Sequence, residues 1–240
     1  MTSSSFPLPT IPVLDHGFVR LIDHMGDDLS VVRAARVSYN AAWRTGEDSG
    51  SDRRLIKYLW KNKHSTPFEA VTVTFEIKAP IFVLRQWHRH RTWSYNELSA
   101  RYKELPEEFY LPDLDVIGYP SQNNKQGREM ALIPPAELEE RIQQRALVRH
   151  HIEGTFKVYR KLLAENWPRE LARAVLPVAT YSHMFATVNL LNLFKFLALR
   201  TDAHAQYEIR EYANAMLDIM KTITPVCVET FLEGIKLDEY

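Results

Sequence analysis

Val71, Val73, Phe75 and Ile77 are apolar, and Thr72, Thr74, Glu76 and Lys78 between and after them are polar. That alternation is the period of a strand with one buried and one open face, so the chain must build a sheet that something covers. Further strands are predicted around Gly17 to Asp23 and over ATYSHMFATV, residues 179–188. Helical spacing recurs from Leu29 to Tyr39 and from Asp52 to Asn62, where Ser51 or Asp52 is the expected cap. Pro80 suits the first turn of a helix, IFVLRQWH, and Pro134 to Asn166 reads as one long helix with an apolar stripe of Leu138, Ile142, Ile152, Phe156, Tyr159 and Leu163. A short helix, PRELARAVL, and two more, NLLNLFKFLALR and AQYEIREYANAMLDIMKTI, complete the elements. Strands set among long helices without regular alternation predict a mixed α/β (α+β) fold, a central, mainly antiparallel sheet packed by helices in a single domain. Residues 1–16 are expected to be an extended arm, and 111–128, rich in turn formers, a surface excursion.

The 240 residues suffice for one sizeable core. Thirty basic and thirty acidic residues cancel, which argues against coating nucleic acid or anionic membrane through a global field, so any anion site is local. With Cys227 as the sole cysteine, an intrachain disulfide and a multi-thiolate metal site are excluded. The amino terminus lacks a signal-peptide pattern and no apolar run reaches the roughly 20 residues of a membrane span, so a cytoplasmic location is expected. No GxGxxG or Walker loop is present among the eight glycines.

The segment RQWHRHRTWSYNELSARY, Arg85 to Tyr102, is where function concentrates. Four readings compete: a solvated basic face; a metal site on His64, His88 and His90; a nucleic-acid surface with Arg89, Arg91 and Arg101 on phosphates and Trp93 and Tyr95 on bases; and a small-molecule anion pocket. Guanidinium forks hold phosphate bidentately, while Glu97, Asn96 and Ser99 can select polar ligand edges.

The order of residues then carries more than their types. Arg89, His90, Arg91, Ser94, Asn96, Glu97, Ser99, Arg101 and Tyr102 resemble the signature of flavin-dependent thymidylate synthases. HSTPFEA, from His64, resembles that family's HxTPFEH element with Ala70 in place of its last histidine, and RELARAVLP and LRTDAHAQYEIREYA are similar to further family segments. Segment 111–128 looks like an insertion.

The resemblance implies methylation of dUMP to dTMP, with methylenetetrahydrofolate as one-carbon donor, FAD as hydride carrier and NADPH as its reductant. It implies dUMP contacts at Gln86, Trp87, His88, Arg89, Glu97, Leu98, Ser99, Ala100, Arg101, Arg173 and Arg200, with Arg101 and Arg173 on the phosphate. FAD contacts fall on His64, Thr66, Arg89, His90, Arg91, Glu97, Asn189, Leu190, Leu191 and Lys195, the last standing where an asparagine or histidine is expected. Arg200 carries the catalytic role, a fixed cation favouring the N3-deprotonated, electron-rich uracil in place of a nucleophilic thiol. Successive helical residues turn about 100°, which puts Asn189 and Arg200 nearly on one line with Asn192 close by. A homotetramer with shared sites is implied, without metal, nucleic acid or membrane. The rivals are a relative acting on another pyrimidine nucleotide or installing a hydroxymethyl group, and an RNA-binding module.

Overall fold

The computed structural model describes residues 9–124 and 126–238. Strands β1 (Thr10–Val13), β2 (Gly17–Met25), β3 (Thr72–Pro80), β4 (Ser94–Glu97) and β7 (Tyr181–Asn189) form one antiparallel sheet in the order β1-β2-β3-β7-β4. Two-residue strands β5 (Tyr119–Pro120) and β6 (Arg128–Glu129) pair with each other outside it. The helices are α1 (Asp28–Arg36), α2 (Ser49–Lys61), α3 (Ile81–Trp87), α4 (Leu114–Ile117), α5 (Pro135–Ala164), α6 (Arg169–Ala172), α7 (Leu190–Arg200), α8 (Tyr207–Ile223) and α9 (Pro225–Asp238).

The alternation along β3 sorts its side chains onto two faces. Val73, Phe75 and Ile77 of β3, with Met184, Ala186 and Val188 of β7, are buried in one core with Trp87, Phe194, Phe196, Tyr212, Met216 and Phe231 from the helices. On the opposite face Lys78 pairs with Glu108, Glu76 with Arg20, and Phe185 is 44% exposed. That polar face and covered face are what make the register of β3 unique, because a slip of one residue would invert both.

Several expectations are corrected. Of the arm at 1–16, residues 1–8 lie outside the described part, and Thr10–Val13 is an edge strand on β2 because a partner strand supplies the hydrogen bonds that a serine- and proline-rich stretch cannot supply itself. Pro80 ends β3 opposite Tyr181 and stands before α3 rather than in its first turn. Helix α2 begins at Ser49, capped by Asp48, whose carboxylate accepts from the Ser51 amide at 3.0 Å. Asp52 is buried instead, accepting from Gly46 N at 2.9 Å and pairing with Arg36 at 2.7 Å, which ties α1 to α2. In α5 only the carboxy-terminal part of the stripe is covered: Ile152, Phe156 and Tyr159 pack with Phe109 and Leu111, whereas Leu138 and Ile142 are exposed. Segment 111–128 is not wholly superficial, for Leu111 is buried and its amide donates to Asp15 at 3.0 Å.

Candidate active site

The basic aromatic segment folds as the end of α3, a tight turn, the short edge strand β4 and a further turn over residues 100–102. Four residues paired on one side to β7 leave no alternation long enough to read in the sequence. Tyr95 reaches back from β4 and donates to the carbonyls of Trp87, at 3.1 Å, and His90, at 2.8 Å. Burial pushes its phenol up, so it stays a donor and clamps the turn.

Helix α7 meets that turn with residues one helical turn apart. Phe196 stacks on Trp87 at 4.9 Å and meets the His90 ring edge-on at 4.8 Å. Four residues on, Arg200 donates from Nε to His90 Nε2 at 3.1 Å. Burial, with the Arg200 charge adding to it, holds the His90 imidazole down at about 4. It is therefore neutral near pH 7, a fit acceptor for the guanidinium, with its proton on Nδ1. Burial lowers Arg200 as well, yet a guanidinium remains charged. Its two terminal nitrogens have no partner among the described residues and are free for a ligand.

Arg101 and Arg173 gather elsewhere. Arg101 pairs with the Glu170 carboxylate at 3.4 Å and Arg173 Nε donates to the Glu170 carbonyl at 3.3 Å, so both guanidiniums converge at α6. Ser99 Oγ accepts from the Arg101 amide at 3.3 Å, and Glu97 accepts from the Ser182 hydroxyl at 2.8 Å. No hydrogen bond or ion pair among the described residues joins this group to Arg200. Arg89 and Arg91 are exposed and make no ion pair there, and His88 packs edge-on against Tyr95 at 4.9 Å.

Other expected contact residues contribute side chains to the core. The side chains of Trp87, Leu190 and Leu191 and the Ala100 methyl are buried, leaving Trp87 and Leu190 little but backbone for a ligand. Asn189 caps α7, its carboxamide oxygen accepting from the Asn192 amide at 3.0 Å, so its side chain is engaged by the first turn of the helix. Asn192 is 3.5 Å from Lys195 Nζ. Lys195 and Leu191 border a cleft of about 520 Å³ between α2, α7 and α9, where Trp60 and Phe68 give an apolar wall and Lys61 and Lys63 a cationic rim. His64 and Thr66 flank Ser65, which lines the cleft, and both are exposed, with His64 edge-on to Tyr58 at 5.8 Å. Cys227 is buried against Asp28, and burial pushes its thiol up, which unfits it as a nucleophile.

The profile of the family described as "Thymidylate synthase complementing protein" matches residues 20–226. The flavin-dependent thymidylate synthase of Treponema denticola is 48% identical over 219 residues, spanning 91% of this chain and 80% of its own. That of Thermotoga neapolitana is 44% identical over 223 residues, 93% of this chain and 94% of its own. The chain belongs to the flavin-dependent thymidylate synthase family. Among solved structures, the UMP/dUMP methylase PolB of Streptomyces cacaoi bound with 5-Br dUMP superposes with a TM-score of 0.81 at 37% identity, covering 93% of this chain and 97% of that one. Its complex with 5-Br UMP gives 0.79 at 37% identity.

Sequence reasoning missed Glu170 and the pairing of His90 with Arg200 across the fold. An RELAR run signals Glu170 three residues before Arg173, but nothing local brings Arg101 to it.

Proposed function

We propose that this chain methylates dUMP to dTMP with methylenetetrahydrofolate as carbon donor, and that Arg200, oriented by neutral His90, is its catalytic residue. The observation that carries the reading is the Arg200 Nε to His90 Nε2 bond of 3.1 Å, which fixes a half-buried cation and leaves its outer fork open. Uracil C5 is a poor nucleophile, and a fixed positive charge beside the ring favours the electron-rich N3 anion. Arg101 and Arg173, with Ser99, hold the nucleotide phosphate, which takes the place of the Glu170 carboxylate. The remaining nucleotide contacts are Gln86, His88, Arg89, Glu97, Leu98 and Ala100, with Trp87 through its backbone.

FAD fits the cleft bordered by Leu191 and Lys195, since an apolar aromatic wall and a lysine rim suit a flat ring system that carries phosphates. His64, Thr66, His90, Arg91, Asn189 and Leu190 complete its surroundings. The bound flavin supplies hydride to the transferred carbon, and NADPH renews it.

The assembly is a homotetramer with sites shared between subunits. Supporting it, no hydrogen bond or ion pair among the described residues joins the arginines at Glu170 to the His90–Arg200 pair, and Tyr39, Trp43, Leu147 and Leu199 are exposed at 87%, 74%, 68% and 62%. No helix among the described residues is long and apolar enough to cross a membrane, and the enzyme works in the cytoplasm.

The test is purification of a yellow protein that converts dUMP to dTMP with methylenetetrahydrofolate and NADPH. A second reading, methylation of UMP as well, is favoured by the likeness to PolB and is decided by offering UMP in the same assay. Colourless protein that binds oligonucleotides in a salt-dependent way would refute both.

A further inference from the structure

Gln86 stands at one end of a relay of polar groups whose other end is a buried carboxylate. Glu208, near the start of α8, is 1% exposed. Its Oε1 accepts from the Arg128 guanidinium at 2.7 Å and from the Tyr110 hydroxyl at 3.1 Å. Its Oε2 accepts from the Gln206 amide nitrogen at 2.8 Å, and the Gln206 oxygen in turn accepts from Gln86 Nε2.

The chemistry of the terminus decides the orientation of every amide in the series. An ionised carboxylate only accepts, so Gln206 must turn its NH2 toward Glu208 and its oxygen toward Gln86. Gln86 must then turn its NH2 toward Gln206. Its carbonyl oxygen has no partner among the described residues. Reversing Gln206 would set its oxygen against the carboxylate and its NH2 against that of Gln86, two losses at once.

Arg128 explains how the carboxylate can be buried and ionised. It comes from β6, beyond the 111–128 excursion's turns, and its guanidinium also lies 5.4 Å from the Tyr207 ring centroid. A buried carboxylate without such a counter-charge is strongly disfavoured. The excursion therefore closes over α8 to deliver a cation, which gives this segment a purpose that its turn-rich sequence does not reveal.

We infer that Glu208 and Gln206 are positioning residues that hold Gln86 with its oxygen offered as an acceptor to a hydrogen-bond donor of the bound nucleotide, an N–H of the base or a hydroxyl of the sugar. The inference rests on the proposed place of Gln86 at the nucleotide.

Gln206 is exposed, so Gln206→Ala lets water replace its amide at Glu208 Oε2 and tests the relay with the Arg128 and Tyr110 bonds to Oε1 left in place. With FAD-loaded enzyme, the KM for dUMP is expected to rise about tenfold, the value of roughly one hydrogen bond, and to rise by more than kcat falls. Because both residues act through one contact, Gln206→Ala is expected to add nothing further in a Gln86→Ala background. Glu208→Gln, which frees the Gln206 amide to reverse, is expected to raise the same KM, with the 3′-deoxy and N3-methyl analogues of dUMP identifying which donor has lost its acceptor. An unchanged KM in Gln206→Ala, or fully additive effects of the two alanines, would overturn the relay. An unchanged KM in Gln86→Ala would instead remove Gln86 from the nucleotide, and the inference with it.

Discussion

Replacing Arg200 by alanine isolates the one charge that substitutes for a thiol. The side chain is the last residue of α7, half-buried, and its only described hydrogen bond is the one to His90 at 3.1 Å. A cation and a forming ring anion about 4 Å apart in surroundings of this exposure, where the effective dielectric constant is near 20, interact by about 4 kcal/mol. Losing that much transition-state stabilisation slows methylation by roughly a thousandfold. The substitution leaves the Trp87, Trp93 and Phe196 packing untouched, so FAD content and melting temperature are expected to change little. Arg200→Lys keeps the charge but loses the planar fork and the Nε donor, and is expected to fall between the two. The assay is tritium release from dUMP labelled at C5, measured at saturating methylenetetrahydrofolate and NADPH on protein of matched flavin absorbance. A rate for Arg200→Ala within tenfold of wild type would show that a fixed cation at this place is not what activates the ring.

Cys227→Ala is expected to retain turnover within about twofold and to lower the melting temperature by a few degrees, the cost of a small cavity of about 1 kcal/mol in a chain of this size; loss of turnover would restore thiol chemistry. Asp52→Asn leaves the Arg36 guanidinium without its carboxylate at 2.7 Å, and denaturant unfolding is expected to show a loss of about 3 kcal/mol, an effect under 1 kcal/mol contradicting the pair's burial. For His90 the folded value of about 4 lies below the ordinary 6.5, so the unfolded chain takes up the proton first. The stability this ring contributes is then complete above pH 6.5 and is lost as pH falls from there toward 4. Unfolding midpoints between pH 7.5 and 4.5 should therefore decline more steeply in wild type than in His90→Gln, and parallel curves would exclude the assignment.

How far the sequence could be read depended on the range of the interaction concerned. The β3 strand, helices α3, α5, α7 and α8 and the HSTPFEA and RHR elements were legible because alternation, 3.6-residue spacing and fixed motif order are properties of neighbours along the chain. The cap of α2 was displaced because Asp48 and Asp52 are equally good acceptors by type. Only the burial of Asp52 against Arg36 assigns their roles. Leu138 and Ile142 satisfied the helical period yet face outward, since a stripe says that a face is apolar and not what covers it. Trp87 and Leu190 were placed at the ligand by motif position, although the same apolar side chains were needed for the core.

By itself the sequence determined the fold class, the family, and the types of residue from which a site is made. Only the tertiary structure decided which of them act as pairs: His90 with Arg200 across 110 residues, Gln86 with Gln206 across 120, Arg101 with Glu170 on α6. Periodicity records each residue's relation to its own helix or strand, whereas the meeting of two distant side chains follows from how those elements pack, which no local pattern encodes.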